Sequence, residues 1–116
     1  YEATVKNTLP VNKTAAREQL CERLRELAEA HGFTYNRVFI RNQRTRWGSC
    51  SYKNNISLNM KLVTLPEELR DYVIIHELVH TQEKNHGRPF WNELNRLVGN
   101  RKKMQAKLRT YGLGLP

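Results

Sequence analysis

Cysteines, long apolar runs and targeting patterns are few or missing in this sequence. Its 116 residues contain only two cysteines, Cys21 and Cys50, which excludes a disulfide framework and favours a reducing, cytoplasmic setting. No apolar run approaches the roughly 18 residues that a membrane span needs, and no secretory signal pattern opens the chain. Internal repeats are also missing. We therefore expect one compact domain with no membrane association.

Positive charge is the main compositional bias. Lys and Arg total 20 against 11 Asp and Glu, a formal net charge of +9, and this excess favours encounters with anionic partners. One basic group near the end of the chain comprises Arg101, Lys102, Lys103 and Lys107. Charge runs of this kind are usually solvated surfaces. The functional alternative is a patch that contacts the phosphates of DNA.

Hydrophobic periodicity predicts an α+β domain with a small, mostly antiparallel sheet. Leu20, Leu24 and Leu27 share one helical face, and Gly32 follows where a helix would end. Aromatic and β-branched residues broken by polar turns then favour short strands. Residues 1–13 are predicted to be a leader or linker to a domain over 14–116. We expect helices over residues 14–31, 66–82, from about 89 onward and 100–111, and strands over 37–42, 46–52 and 55–59, the last two joined by a hairpin turn at 53–55.

A pair of histidines four residues apart points to metal chemistry. Residues 76–80 read His-Glu-Leu-Val-His, and on a helix His76 and His80 project from one face, close enough to reach one metal ion. Glu77 lies at the edge of that face, where it can take a proton from a water on the metal. A random chain of this composition shows the pattern about one time in a hundred. The motif therefore favours a zinc hydrolase over two hydrogen-bonded core histidines.

A third ligand is needed, because a hydrolytic zinc site uses three protein ligands and one open position. We predict His86, which follows a polar break after His80, in preference to His31, which precedes a helix-ending glycine. Glu83 is a weaker candidate, since a continued helix would point it away from the histidine pair. The spacing also matches the metzincin signature, but Glu83 stands where that signature has glycine, so a metzincin is a poor fit.

Several segments, taken together, resemble a known family. They are Arg46-Trp47-Gly48-Ser49-Cys50-Ser51, Ile56-x-Leu58-Asn59, Pro66, Asp71-Tyr72-Val73, the motif at 76–80, Asn85-His86 and Phe90-Trp91. In this order, over roughly residues 14–110, the chain resembles the YgjP-like metallopeptidase domain family and is similar to the SprT and Spartan group of zincins. The resemblance implies a minimal zincin-like fold, one zinc ion held by His76, His80 and His86, and Glu77 as the general base.

The strand-forming segments next to the motif are candidates for substrate binding. In zincins a sheet edge commonly pairs with an extended substrate chain. The residues that we expect at such a strand are Trp47, Gly48, Ser49, Ile56, Ser57 and Leu58; the alternative is that they only build the core. Tyr72, Arg88 and Tyr111 are candidates for stabilising the oxyanion, and the sequence does not choose among them.

Together these features predict a cytoplasmic zinc metalloendopeptidase that acts on protein or peptide substrates. Glu77 would be catalytic, and one zinc ion per chain would be bound by His76, His80 and His86. The alternative is a basic nucleic-acid-binding module whose metal site is structural or vestigial.

Overall fold

A computed structural model describes residues 12–113 of the chain. Its elements, in chain order, are helix α1 (Lys13–His31), strands β1 (Val38–Arg41), β2 (Gly48–Cys50) and β3 (Ile56–Asn59), a 3₁₀ helix (Met60–Thr64), and helices α2 (Glu67–Val79), α3 (Arg88–Val98) and α4 (Arg101–Arg109). The predicted leader lies outside the described residues apart from Asn12, the N-terminal cap of α1, and Lys13, its first residue. No helix in the described part is long and apolar enough to cross a bilayer.

Helix α1 begins and ends where its local sequence provides caps. The side chain of Asn12 accepts a hydrogen bond from the Ala15 N–H, and Gly32 closes the helix with a left-handed φ of 75°. The apolar face of α1 is buried along its length and comprises Ala16, Leu20, Leu24, Leu27 and Ala28. This face packs against the 3₁₀ helix, α2 and β1. Arg23 also donates two hydrogen bonds, of 3.0 and 2.8 Å, to the Asp71 carboxylate of α2, which fixes the two helices against each other.

The sheet has the order β1-β3-β2, so β3 is the central strand. Strands β2 and β3 form the predicted antiparallel hairpin, and Asn54 in its turn adopts a left-handed φ of 65°. Strand β1, however, pairs with β3 in parallel, so the prediction of a mostly antiparallel sheet is wrong for this strand. The reason is the order of the strands. After β1 the chain crosses to the opposite edge of the sheet and forms β2, and the hairpin then brings β3 back between the two strands, running in the same direction as β1.

Helix α2 is the centre of the fold. Pro66 precedes it and Glu67 and Glu68 occupy its first turn, where acidic side chains favour the positive end of the helix dipole. Every residue of the segment 72–79 is buried, because β2 and β3 cover one side of α2 and the other helices cover the rest. The helix ends at Val79, three residues before the predicted end, so His80 is its C-terminal cap.

Two further helices complete the domain, as predicted. Helix α3 has Pro89 in its first turn and buries Phe90 and Leu94 against α2. Helix α4 begins after Asn100, whose side-chain oxygen accepts a hydrogen bond from the Lys103 N–H. The prediction of an α+β domain is confirmed.

A buried asparagine holds the loop that leads into β2. The Asn59 side chain is 1% exposed, and its amide donates to the carbonyls of Gln43 and Arg46 at 2.9 and 3.1 Å. Its oxygen accepts a hydrogen bond from the Lys61 N–H at 3.0 Å. Because each polar atom of this amide is satisfied, its burial fixes β2 at the edge of the sheet rather than destabilising the core.

Candidate metal centre

Three histidines converge at the end of α2. His76 lies in its last turn, His80 caps it, and His86 comes from the loop before α3. One ring nitrogen of each lies within 4.8 Å of the others. The Nε2 atoms of His80 and His86 are 3.1 Å apart. Nitrogens bonded tetrahedrally to zinc would be about 3.3 Å apart, given Zn–N bonds of roughly 2.0–2.1 Å, so this pair already has the spacing of ligands.

A tight turn without glycine returns the chain toward His80. The N–H groups of Gln82 and Glu83 both donate to the Val79 carbonyl, at 3.0 and 2.9 Å. This turn places the Glu83 carbonyl 3.0 Å from His80 Nδ1. A carbonyl only accepts, so His80 carries its proton on Nδ1 and leaves the Nε2 lone pair for a metal. Burial lowers the pKa of His80, which also favours the neutral, ligating form.

Two aromatic side chains from the first turn of α3 fix the orientation of the imidazoles. Phe90 stacks on His80 with ring centroids 4.3 Å apart and an interplanar angle of 27°. Trp91 stacks on His86 at 5.4 Å and 26°. Phe90 is fully buried, so its stacking restricts the orientation of the His80 ring before any ligand binds.

Glu77 is a buried carboxylate without a hydrogen-bond partner. Its side chain is 0% exposed, and within the described segment neither oxygen has a donor in hydrogen-bonding geometry. The buried Nδ1 of His76 also lacks a partner and lies 3.4 Å from Glu77 Oε2. An unpaired buried carboxylate destabilises a fold by several kcal/mol, at roughly the level seen when a buried ion pair is broken. A buried carboxylate without a hydrogen-bond donor is typical of a functional site rather than of a hydrophobic core.

These residues fit a divalent metal ion. Three imidazoles supply the nitrogen donors that zinc prefers, and the ring of His80 is oriented by a backbone carbonyl as metal-binding histidines usually are. A cation among them would also offset the uncompensated charge of Glu77.

Comparison with known families decides the assignment. A family model described as "YgjP-like, metallopeptidase domain" matches residues 2–111. The chain belongs to this family. The prediction of a metallopeptidase is therefore confirmed, and the alternative of a nucleic-acid-binding module is not favoured. A search of the curated proteins finds no match.

Solved structures show the same fold as this YgjP-like domain. One is the metallopeptidase zymogen abylysin of Pyrococcus abyssi, with a TM-score of 0.72 and 23% identity over 84% of this chain and 99% of that one. Another is the metallopeptidase zymogen jannalysin of Methanocaldococcus jannaschii, with a TM-score of 0.68 and 25% identity over 79% of this chain and 95% of that one. The prediction of a minimal zincin-like fold is confirmed by these similarities.

The two predicted substrate strands differ in whether their backbone groups are already paired within the sheet. Strand β3, with Ile56, Ser57 and Leu58, has β1 on one side and β2 on the other, so its backbone is already paired. Gly48 and Ser49 belong to β2, an edge strand, while the Trp47 side chain is buried in the core. Of the two predicted strands, only β2 therefore lies at an edge of the sheet, and substrate binding at β2 stays a prediction.

The predicted basic patch is partly used in packing. The Arg101 guanidinium lies 4.0 Å from the ring centroid of Trp91, and Lys107 pairs with Glu68 of α2 at 3.0 Å. Lys102 and Lys103 are exposed. Contact with DNA stays a prediction from charge alone.

The three oxyanion candidates lie in different surroundings. Tyr72 is buried one turn before His76, with its ring centroid 6.1 Å from that imidazole. Burial raises the pKa of Tyr72 to about 12, so its hydroxyl stays a proton donor at neutral pH. Tyr111 and Arg88 are exposed, at the ends of α4 and α3.

Gly48 is a residue whose role the sequence did not show. A Cβ at this position would lie 3.1 Å from the Ser57 carbonyl oxygen and 3.3 Å from Glu77 Cγ. Because Gly48 has no side chain, β2 leaves the space that the Glu77 side chain occupies. This contact joins residues that are distant along the chain, so the segment Arg-Trp-Gly-Ser-Cys alone did not predict it.

Replacing Gly48 by Ala should therefore displace Glu77 while leaving the histidines in place. We expect a decrease of about tenfold or more in kcat, because displacements well below 1 Å already affect proton transfer. Overpacking should lower the free energy of unfolding by about 1–3 kcal/mol. Gly87→Ala is the matched control, because the nearest described neighbour of its Cβ would be Pro89 Cδ at 3.7 Å, an ordinary van der Waals contact. Steady-state kinetics, urea unfolding and zinc content measure these effects, and full activity in Gly48→Ala would refute the role of Gly48.

Proposed function

We propose that this chain is a zinc-dependent endopeptidase in which His76, His80 and His86 hold one zinc ion and Glu77 is the general base. The observation that carries the proposal is the convergence of three ring nitrogens within 4.8 Å, next to the unpaired, buried carboxylate of Glu77. Three histidine ligands leave a fourth position open, as a hydrolytic zinc site requires.

Each residue has a role that its surroundings support. Zinc, when bound, would supply a Lewis acid that polarises the scissile carbonyl and lowers the pKa of a water molecule to about 7. Glu77 would take the proton of the attacking water and pass it to the leaving amine. Glu77 is buried, and no donor among the described residues forms a hydrogen bond with its carboxylate, so both oxygens are available for this exchange. The hydrogen bond from His80 to Glu83 keeps that ligand in the required tautomer.

The edge of β2 that faces away from β3, with which no other described strand pairs, is the proposed binding site for the substrate backbone. The Trp47 carbonyl accepts from the Asn59 N–H at 2.9 Å, and the Ser51 N–H donates to the Asn55 carbonyl at 2.9 Å. Backbone bonds alternate between the two sides of an antiparallel strand, so Gly48 and Cys50 direct their N–H and C=O groups away from β3. An extended peptide that adds to this edge would be held by main-chain bonds independent of its sequence.

Cleavage of a denatured protein tests the proposal most directly. Zinc-loaded protein incubated with casein or an unfolded peptide mixture should release internal fragments, which mass spectrometry would identify. Removal of zinc by a chelator should reduce cleavage to the background level, and added zinc should restore it, because the Lewis acid supplies several kcal/mol of transition-state stabilisation. The proposal would be wrong if the zinc-loaded protein cleaved no peptide, or if cleavage persisted in protein shown to be free of metal.

A further inference from the structure

A cleft with about 150 Å³ of space opens beside the histidine cluster. It is lined by Arg46, Ser49, Cys50, His80, Lys84 and His86. The cleft thus lies between the edge strand β2 and two of the three imidazoles. A peptide paired with the outer edge of β2 would place one of its side chains, or its terminus, in this cleft.

The cleft is positively charged. Arg46 and Lys84 are exposed, and none of the described residues that line the space is acidic. Within the part of the chain that the structure describes, neither cation has a carboxylate within 4 Å. Burial raises the pKa of the Cys50 thiol, so this residue adds no negative charge at neutral pH. A substrate group in the cleft therefore meets two cations that no described acidic residue neutralises.

Lys84 is held in place before any ligand binds. Its ammonium group donates to the Ser51 carbonyl at 3.0 Å and to the Asn54 side-chain oxygen, both at the hairpin that joins β2 to β3. An ammonium group has three N–H donors, so one is left for a ligand. Because these bonds already restrict the long side chain, less conformational entropy is lost when an anion binds.

We propose that Arg46 and Lys84 bind a carboxylate of the substrate close to the cleaved bond, so that the enzyme prefers acidic peptides. This inference rests on the proposed peptidase function. The carboxylate belongs either to an Asp or Glu side chain or to the C-terminus of the substrate, since both offer the two oxygens that a guanidinium binds bidentately. Exposed ion pairs are individually weak, so we expect the two cations together to give a preference of roughly tenfold.

Peptide binding to the Glu77→Gln variant tests this preference without cleavage. One pair of probes consists of ten-residue peptides, capped at both ends, that differ only in a central Glu or Gln and so test a side-chain carboxylate. A second pair consists of the Gln peptide with a free or an amidated C-terminus and so tests the terminal carboxylate. Fluorescence anisotropy should show about tenfold tighter binding of the Glu peptide, or of the free C-terminus, and the comparison identifies the source of the carboxylate. The difference should shrink in 0.5 M salt because exposed charges are screened.

Charge removal assigns the preference to this cleft. The double variant Arg46→Met/Lys84→Met should bring the ratio of the two dissociation constants close to one. The control Lys102→Met/Lys103→Met, which removes two exposed cations of α4, should leave the ratio unchanged. Arg46→Met alone, which keeps the Lys84 bonds to the hairpin, should reduce the ratio about threefold; circular dichroism would verify the fold of each variant.

The outcomes separate this inference from the proposed function. Equal binding of all peptides, or a preference that survives in Arg46→Met/Lys84→Met, would overturn the role of this cleft. In the active wild-type protein, cleavage sites mapped in a peptide library should be enriched in Asp or Glu near the cut, and Arg46→Glu should shift the enrichment toward Lys or Arg. Cleavage without acidic enrichment would refute the preference but not the peptidase, whereas acidic binding without any cleavage would refute the peptidase alone.

Discussion

Replacing Glu77 with Gln is expected to lower kcat/KM by about 10²- to 10⁴-fold while the zinc content stays at that of the wild type. Glutamine has nearly the same shape but cannot accept the proton of the attacking water. The carboxylate has no hydrogen-bond partner among the described residues, and its contact with His76 Nδ1 is 3.4 Å long, so no hydrogen bond is lost on substitution. Steady-state kinetics on one peptide and elemental analysis of the same preparation measure both quantities.

The stability of the metal-free protein gives a second readout for the same variant. Glu77 is 0% exposed, and an unpaired charge there opposes folding. Metal-free Glu77→Gln should therefore be at least as stable as the metal-free wild type in urea unfolding. Glu67→Gln, an exposed change at the start of the same helix, should alter neither activity nor stability by a comparable amount. Retention of more than a tenth of the wild-type activity in Glu77→Gln would exclude its role as the general base.

Local sequence patterns were sufficient to predict helix α2 and the positions of its two histidines. The spacing of His76 and His80, the apolar residues around them and the acidic start of α2 predicted a buried helix with two histidines on one face. The predicted turn back to His86 depended on a polar break alone, and the structure brings that ring to the pair. The turn needs no glycine at position 83, because N–H groups of the turn share the Val79 carbonyl.

Other features depend on backbone geometry or on contacts between residues distant along the chain, which the sequence did not show. The sequence predicts Glu83 as a weaker side-chain ligand, whereas in the structure its backbone carbonyl orients His80. The parallel pairing of β1 follows from the insertion of β3 between two earlier strands, which no period of hydrophobic residues encodes. The room that Gly48 leaves for Glu77 arises only when β2 packs on α2.

Strand β2 thus serves two purposes at once. One face lacks a side chain at Gly48, which lets α2 bring Glu77 to the histidines. At its outer edge the backbone groups of Gly48 and Cys50 point away from β3, and we propose that a substrate binds there. A strand of only three residues is stable there because Asn59 fixes the loop before it and the hairpin fixes its end. The proposed general base and the proposed peptide site are therefore positioned by the same short segment.

Replacing His86 with Ala is expected to weaken zinc binding by about 100-fold or more, since even the loss of a residue that only orients a ligand costs about 10- to 100-fold. His86 is the most informative of the three positions, because its side chain is exposed whereas His76 and His80 are buried. Its removal should leave the metal-free fold intact. His31→Ala, at the exposed end of α1, replaces the fourth histidine of the chain and is the matched control.

Zinc-dependent stabilisation makes this loss measurable without a substrate. At a free zinc concentration 1,000 times the wild-type Kd, binding stabilises the native state by about 4.1 kcal/mol, and a 100-fold weaker site would give only about 1.4 kcal/mol. The difference corresponds to a decrease in Tm of roughly 10 °C or more for a domain of this size. His86→Ala should show this decrease in zinc and none without metal, and His31→Ala should show neither. An unchanged zinc-dependent Tm in His86→Ala would mean that the ring is not a ligand, and the site would then lack the third donor on which the proposed hydrolysis depends.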